Sequence, residues 1–244
     1  MTASEPTIRE LCLVIPVYNE EESILRVVEE WHTEVARHTR DFQLLVINDG
    51  STDGTTGVLE ELQGKLGPRL NVLHQTNRGH GQACLNGYRW AATEQYRFVL
   101  QVDSDGQSDP QFFPAVWSRR NDFDVIYGRR VTRDDGWRRA LASHIVKWVV
   151  WAVNQVRCVD PNVPYRLMRT ELLPPLLPRI SADFNLANVA LAVLLRQSSS
   201  VRHGAVPINF RQRYGGQPKV RLAQFGGKAR ELVRQLRTLN RNSP

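Results

Sequence analysis

The stretch VLQVDSDGQSDP, residues 99–110, begins as an apolar run and ends in three carboxylates, Asp103, Asp105 and Asp109, set around a glycine. Asp103 and Asp105 alternate with Ser104, so a slight turn at the end of a strand brings both carboxylates onto one hard divalent cation. Oxygen ligands of that charge suit Mg²⁺ or Mn²⁺, which completes its shell with substrate phosphate oxygens. A lone DxD is more often a solvated turn, because Asp-Gly is common in loops. A calcium EF-hand loop starts the same way, but Ser108 stands where that loop needs glycine and Pro114 where it needs glutamate. Asp109, just before Pro110, reads as a residue that shapes the loop or caps the next helix.

Three further polar clusters follow short apolar runs: PVYNEEE, NDGSTDGT and TNRGHGQA. In the third, Gly79 and Gly81 allow phosphates to approach backbone N–H groups at the positive end of a helix. Cys84 replaces the last glycine of a dinucleotide fingerprint, and no GxxxxGK occurs. His80 has no partner histidine at ligand spacing and reads as a loop residue. In the second cluster Ser51, Thr52 and Asp53 are all good helix N-caps. Capping accounts for Asp53 better than for Asp49, which sits at the end of the apolar run.

The runs that must position these clusters are LCLVIP (11–16), FQLLVIN (42–48), NVLHQ (71–75), RFVLQVD (97–103) and DVIYG (124–128). Their near-continuous hydrophobicity suits strands covered on both faces, as in a parallel α/β sheet. Ile24, Val27, Val28, Trp31 and Val35 repeat with the helical period between the first two. A second helix is expected after Asp53 and a third over about 81–93. Such β-α-β-α order places a ligand crevice at the carboxyl ends of the strands, where all four clusters fall. After residue 128 the alternation weakens, arginines thicken, and Pro-rich stretches appear at 160–166 and 172–179.

The length of 244 residues fits one sizeable domain, and an excess of Lys and Arg over Asp and Glu, 32 to 25, favours anionic partners. Three cysteines without CxxC spacing argue against a disulfide framework or cysteine-rich zinc site. They read as reduced, mostly buried side chains. The N-terminus lacks the basic and apolar regions of a secretory signal, so the chain is expected in the cytoplasm. The most apolar helical segment, 145–156, is interrupted by Lys147, Asn154 and Gln155 and is too short to span a bilayer. Trp137, Trp148 and Trp151 either pack the core or settle at a membrane surface.

Taken in order, LVIPVYNEEESI, VINDGSTDGT, TNRGHGQACLNGYRWA and VLQVDSDGQSDP resemble the nucleotide-sugar domain of family 2 glycosyltransferases. The resemblance continues through YGRR, DPNVPYRLMR and FRQRYGGQPK, to about residue 219, and is nearest to the dolichol-phosphate mannose synthase and polyprenyl-phosphate glycosyltransferase branch. It implies a GT-A fold: an α/β, Rossmann-like nucleotide-sugar-binding unit with a mostly parallel central sheet flanked by helices. Residues 1–218 would form this catalytic domain and 219–244 a basic helical tail, not a separate domain.

Carried over residue by residue, the resemblance places Pro16, Tyr18 and Glu20 in the first nucleotide-binding loop and Asp49 against the base. Asn48 departs from the aspartate that usually precedes it. Gly79 belongs to the donor site, Asp103 and Asp105 hold the metal with support from Gln107, and Arg129 follows the next strand. Arg138 or Arg139 matches an acceptor-side basic pair. Arg213, Gly216 and Lys219 match a motif that closes over the diphosphate, with Pro218 in place of its serine.

The implied reaction is inverting transfer of a sugar from a UDP- or GDP-sugar to polyprenyl (dolichyl or undecaprenyl) phosphate, assisted by Mg²⁺ or Mn²⁺. Asp105 and Arg129 would act at the departing diphosphate, with Arg129, Arg138 and Arg139 gathering the acceptor phosphate. A phosphate monoester is anionic near neutral pH, its second pKa being about 6, whereas a sugar hydroxyl needs a general base. Asp160 is the best carboxylate for that base; alternatively it orients Arg166. The competing reading within enzymes is transfer to a saccharide hydroxyl in cell-surface glycan assembly. A non-catalytic anion-binding module is a remoter one, since no nucleic-acid motif occurs. Membrane contact is expected to be peripheral, on the cytoplasmic face.

Overall fold

In the computed structural model, residues 9–131, 137–158, 160–184, 186–215 and 225–241 are described, without the side chains of 137–145, 225–229, 240 and 241. Strand β1 (Arg9–Val17) is buried from Leu11 onward and β2 (Phe42–Asp49) throughout, as strands covered on both faces must be. β3 (Leu70–Gln75) lies beside β2 and β4 (Tyr96–Gln101) beside β1, all parallel. The crossovers are α1 (Ile24–Ala36), α2 (Thr55–Leu66) and α3 (His80–Thr93). The five apolar residues of α1 read from the sequence are its buried ones. β4 stops at Gln101, so Asp103 and Asp105 lie in the turn beyond it rather than on the strand.

The weakening after residue 128 is a change of topology rather than an end to the fold. Beyond β4 come α4 (Phe113–Trp117), β5 (Val125–Arg130), α5 (Trp137–Asn154), β6 (Arg166–Arg169), α6 (Ala187–Gln197), β7 (His203–Ile208) and α7 (Phe225–Arg241). The seven strands run β3-β2-β1-β4-β6-β5-β7, with β6 antiparallel to both neighbours. The other four pairings are parallel. β7 is an edge strand, which lets it hold Pro207 without losing a ladder bond that a central strand needs. Strand order reverses between β1 and β4, so the crevice of a doubly wound sheet falls at their carboxyl ends.

α7 buries Leu232, Leu236 and Leu239 and packs on α5 and α6. Its Arg230, Arg234 and Arg237 face outward. Trp148 and Trp151 of α5 are 65% and 44% exposed, which removes them from the core. Among the described residues, no helix is long and apolar enough to cross a membrane. Cys12 and Cys84 are buried, Cys158 half-buried, and all three are free.

Candidate active site

The loops after β1, β2, β3 and β4 converge on a cavity of about 340 Å³ lined by Pro16, Tyr18, Glu20, Asp49, Gly79, His80, Asp103, Asp105 and Arg213. Asp105 is 8% exposed. Its Oδ1 accepts the Gln107 N–H at 3.0 Å, and its Oδ2 lies 3.2 Å from Arg213 Nη1. Burial, then the neighbouring Asp103 charge, pushes its carboxyl up to about 6, against the pull of the Gln107 N–H and Arg213. Asp103 is more open; its Oδ1 accepts from Gln101 Nε2 at 3.1 Å and stands 3.7 Å from His80 Nε2. Cys84, 3.5 Å from His80, and then Asp103 and Asp105 hold that imidazole above its usual value.

Arg213 bridges the cleft. Its Nη2 donates to Glu20 Oε1 at 2.8 Å while Nη1 faces Asp105. The segment that brings it there, residues 210–215, is laced to the acidic turn. Phe210 bridges Ser108, Arg211 N–H donates to the Gln107 carbonyl at 3.0 Å, and Tyr214 N–H donates to the Asp105 carbonyl at 3.1 Å. Gly106, at φ +80°, permits this: a Cβ there would meet Tyr214 Cδ2 at 2.4 Å. Tyr214 Oη and Arg211 Nη2 both donate to Glu30 of α1, at 2.8 and 2.7 Å.

Asp49 is the anchor of the third loop. Its Oδ1 accepts Gln75 Nε2 and the Arg78 N–H, and its Oδ2 the Gly79 N–H, at 2.6, 2.8 and 2.8 Å. Gly50 allows the loops to touch, since a Cβ would come within 2.7 Å of Asn77 N. Asn48 accepts from the Ser51 N–H and donates to Thr56 Oγ1; an aspartate could not make that donation, which explains the amide here. Asp109 accepts the Gln111 N–H as the N-cap of the short helical turn at 110–112, whereas Asp53 accepts the Thr55 N–H from one position before Gly54, the N-cap of α2.

Of the other expected site residues, Gln107, Arg129 and Asp160 are not among those that line this cavity. Gln107 meets Asp105 through its backbone, its own amide donating to the Arg211 carbonyl at 3.4 Å. Arg129 is exposed at the end of β5. Asp160 does not orient Arg166, as one reading of the sequence had it: Asp160 Oδ2 lies 3.7 Å from Arg130 Nε. Arg166, fully buried, instead donates to the carbonyls of Asn188 and Pro161 at 3.1 and 2.9 Å. Arg138 and Arg139 sit on α5 with side chains outside the described set, and Gly216, Pro218 and Lys219 lie outside the described residues.

Residues 12–184 match the family model for glycosyl transferase family 2. The chain belongs to that family. The GT-A architecture of the family is shared over almost the whole chain with glucosyl-3-phosphoglycerate synthase of Mycobacterium tuberculosis in complex with Mn²⁺, UDP and phosphoglyceric acid. That likeness has a TM-score of 0.66 at 19% identity, over 95% of this chain and 78% of the other. Mannosyl-3-phosphoglycerate synthase from Rubrobacter xylanophilus gives 0.63 at 19%, over 97% and 76%. In sequence the chain is similar to dodecaprenyl-phosphate galacturonate synthase of Rhizobium johnstonii, 28% identical over 67% of this chain and 49% of the relative. It is also similar to undecaprenyl-phosphate 4-deoxy-4-formamido-L-arabinose transferase of Proteus mirabilis, 27% identical over 70% and 52%. The chain spans about half the length of these curated relatives.

In this family 2 site the donor set fits a divalent cation. Asp103 and Asp105 are acceptor-only oxygen ligands whose mutual repulsion an ion would relieve. Among the described residues no third His, Cys, Asp or Glu completes a metal cluster. What motif reading missed is the support behind Asp103. Gln101, fully buried, accepts from Tyr88 Oη and Asn188 Nδ2 and directs its own amide to Asp103. A lone glutamine in the apolar run VLQV was the available signal, since a buried polar side chain in a strand needs partners.

Proposed function

We propose that the chain is an inverting, divalent-cation-dependent glycosyltransferase that moves a sugar from a nucleotide-sugar donor to a polyprenyl phosphate. The observation that carries this reading is the Asp103 and Asp105 pair facing Arg213 across a cleft built by four strand-end loops. Pro16, Tyr18 and the Asp49-anchored loop would receive the nucleotide. Asp103 and Asp105 would hold Mg²⁺ or Mn²⁺, which when bound supplies Lewis-acid stabilisation of the departing diphosphate.

The protein groups do the rest. Arg213, pre-oriented by Glu20, brings a guanidinium fork to the diphosphate oxygens. Attack on the face opposite the leaving group in one step inverts the anomeric centre. An acceptor phosphate needs no protein base, and the burial of Asp160 beside Arg130 favours that arrangement over base catalysis. Arg129, with Arg138 and Arg139 on α5, would gather the acceptor phosphate, and Lys219 would close over the donor. Residues 1–218 would be the catalytic unit and 219–244 an accessory basic helix. The exposed Trp148 and Trp151 support peripheral contact at the cytoplasmic membrane face.

Membranes containing the protein, incubated with labelled nucleotide sugars and Mn²⁺, should yield label in an organic-soluble, base-stable and mild-acid-labile fraction. Asp105→Ala should abolish it. Label appearing only in water-soluble glycan would overturn the lipid acceptor in favour of a saccharide hydroxyl.

A further inference from the structure

The first turn of α3 divides its residues between two cavities. His80 and Ala83 line the donor cleft, whereas Gly81 and Gln82 line a second cavity of about 300 Å³, shared with Arg78, Asp183 and Phe184. Gly79 belongs to both and forms the ridge between them. The ridge is bare: a Cβ on Gly79 would meet nothing within 4 Å, although its φ of +86° disfavours any other residue.

Gln82 is only 5% exposed, and its Nε2 has no hydrogen-bond partner. A buried amide donor left unpaired is destabilising, and a leucine would fill the same volume without that cost. Its place at the wall of a cavity beside the donor cleft points to a partner that is not part of the chain. Across the cavity Asp183 is held in place by its own carbonyl, which accepts from Gln235 Nε2 at 2.6 Å, while its side chain stays exposed.

The chemistry of the lining selects the ligand. An amide and a guanidinium donate, and a carboxylate accepts; a hydroxyl does both. A polyhydroxylated ring therefore satisfies all three, whereas a bare phosphate would face the Asp183 carboxylate. We propose that this second cavity receives the sugar ring of the nucleotide-sugar donor, with Gln82 Nε2 donating to one ring hydroxyl and the Asp183 carboxylate accepting from another. The diphosphate would then lie at Asp103 and Asp105, with the sugar reaching across Gly79. The inference rests on the reading of the chain as a nucleotide-sugar transferase and adds the residues that read the sugar.

The test is a binding comparison in Mn²⁺ using UDP-, GDP-, CDP- and dTDP-hexoses and the four bare nucleoside diphosphates, on the wild type and Gln82→Leu. For the nucleotide the wild type accepts, Gln82→Leu should weaken the sugar nucleotide about tenfold, the worth of one hydrogen bond. The bare diphosphate should bind as before. Equal losses for both ligands, or no loss for either, would overturn the sugar assignment while leaving the transferase reading intact. A wild type that binds none of the eight defeats the transferase reading and the sugar subsite together. Should Gln82→Leu fail to fold, Asp183→Asn at its exposed position decides the matter by the same ratio.

Discussion

Asp105→Asn should make the metal-free protein more stable at neutral pH while destroying its response to donor and cation. The Asp105 carboxyl is raised from 3.8 to about 6, by burial and then by Asp103. For an acid raised in this direction, the folded chain holds the proton more tightly than the unfolded one. Stability from this group is therefore complete below 3.8 and is lost as pH rises through about 6. A gap of about two units corresponds to roughly 3 kcal/mol. Because the two carboxylates share their repulsion, a gain of about 1–3 kcal/mol is expected for the variant. Asparagine keeps an acceptor oxygen for the Gln107 N–H, and Arg213 retains Glu20 at 2.8 Å. Urea unfolding in chelator at pH 7.5 should place the variant's midpoint above that of the wild type. At pH 4.5 the difference should fall to about a third, since most of the wild-type carboxyl is then protonated. Mn²⁺ with a nucleoside diphosphate should raise the wild-type melting temperature and leave the variant's unmoved. A variant no more stable than the wild type at pH 7.5 in chelator would refute the claim that the pair is electrostatically strained.

Asp124 is the opposite case: hydrogen bonds from Arg202, joined by the Arg169 charge, lower its carboxyl to about 2. Its contribution is present above 3.8 and lost as pH falls through about 2, so Asp124→Asn should cost about 1–2 kcal/mol in urea unfolding at pH 7, with water screening already discounted. Gly106→Ala should cost about 1–3 kcal/mol, because its positive φ is strained and its Cβ strikes the Tyr214 ring. Adding Tyr214→Ala should recover part of that loss in a double-mutant cycle, and strict additivity would exclude the contact. Arg213→Lys should weaken nucleoside diphosphate binding by about tenfold in a calorimetric titration, since an ammonium cannot face Glu20 and the diphosphate with a fixed fork; unchanged affinity would remove Arg213 from the donor site.

The parallel half of the fold was legible because its strands are buried on both faces, and that burial writes itself as uninterrupted apolar sequence. Of the other half, DVIYG was legible as β5, but β6 and β7 were not. β6 is a four-residue strand, RLMR, whose first residue is a buried arginine paired to backbone carbonyls. β7, HGAVPI, carries a glycine and a proline that its edge position tolerates. Neither pattern separates from a loop by periodicity, because what stabilises each strand is a partner distant in sequence. Asp160 shows the same limit. Its position in DPNVPYR suggested a base or a brace for Arg166, yet its partner is Arg130, brought from the end of β5.

The acidic residues of the cleft divide by what offsets their charge, a distinction that sequence spacing does not contain. Asp53 and Asp109 spend theirs on backbone N–H groups two residues onward, so local motif reading identified them. Asp49 accepts three donors from the end of β3 and the loop after it, which no local pattern joins to it. Asp105 also accepts a backbone N–H two residues onward, from Gln107, but it carries in addition the repulsion of Asp103, and Arg213, the cation beside it, is shared with Glu20. On the far side of Gly79 the Gln82 amide is a donor without an acceptor. Both features make the empty protein less stable than an apolar or neutral replacement would. Both are relieved by one class of molecule, a cation-bound diphosphate carrying a polyol, which is why the stability of Asp105→Asn and Gln82→Leu in the absence of ligand should rise as their binding falls.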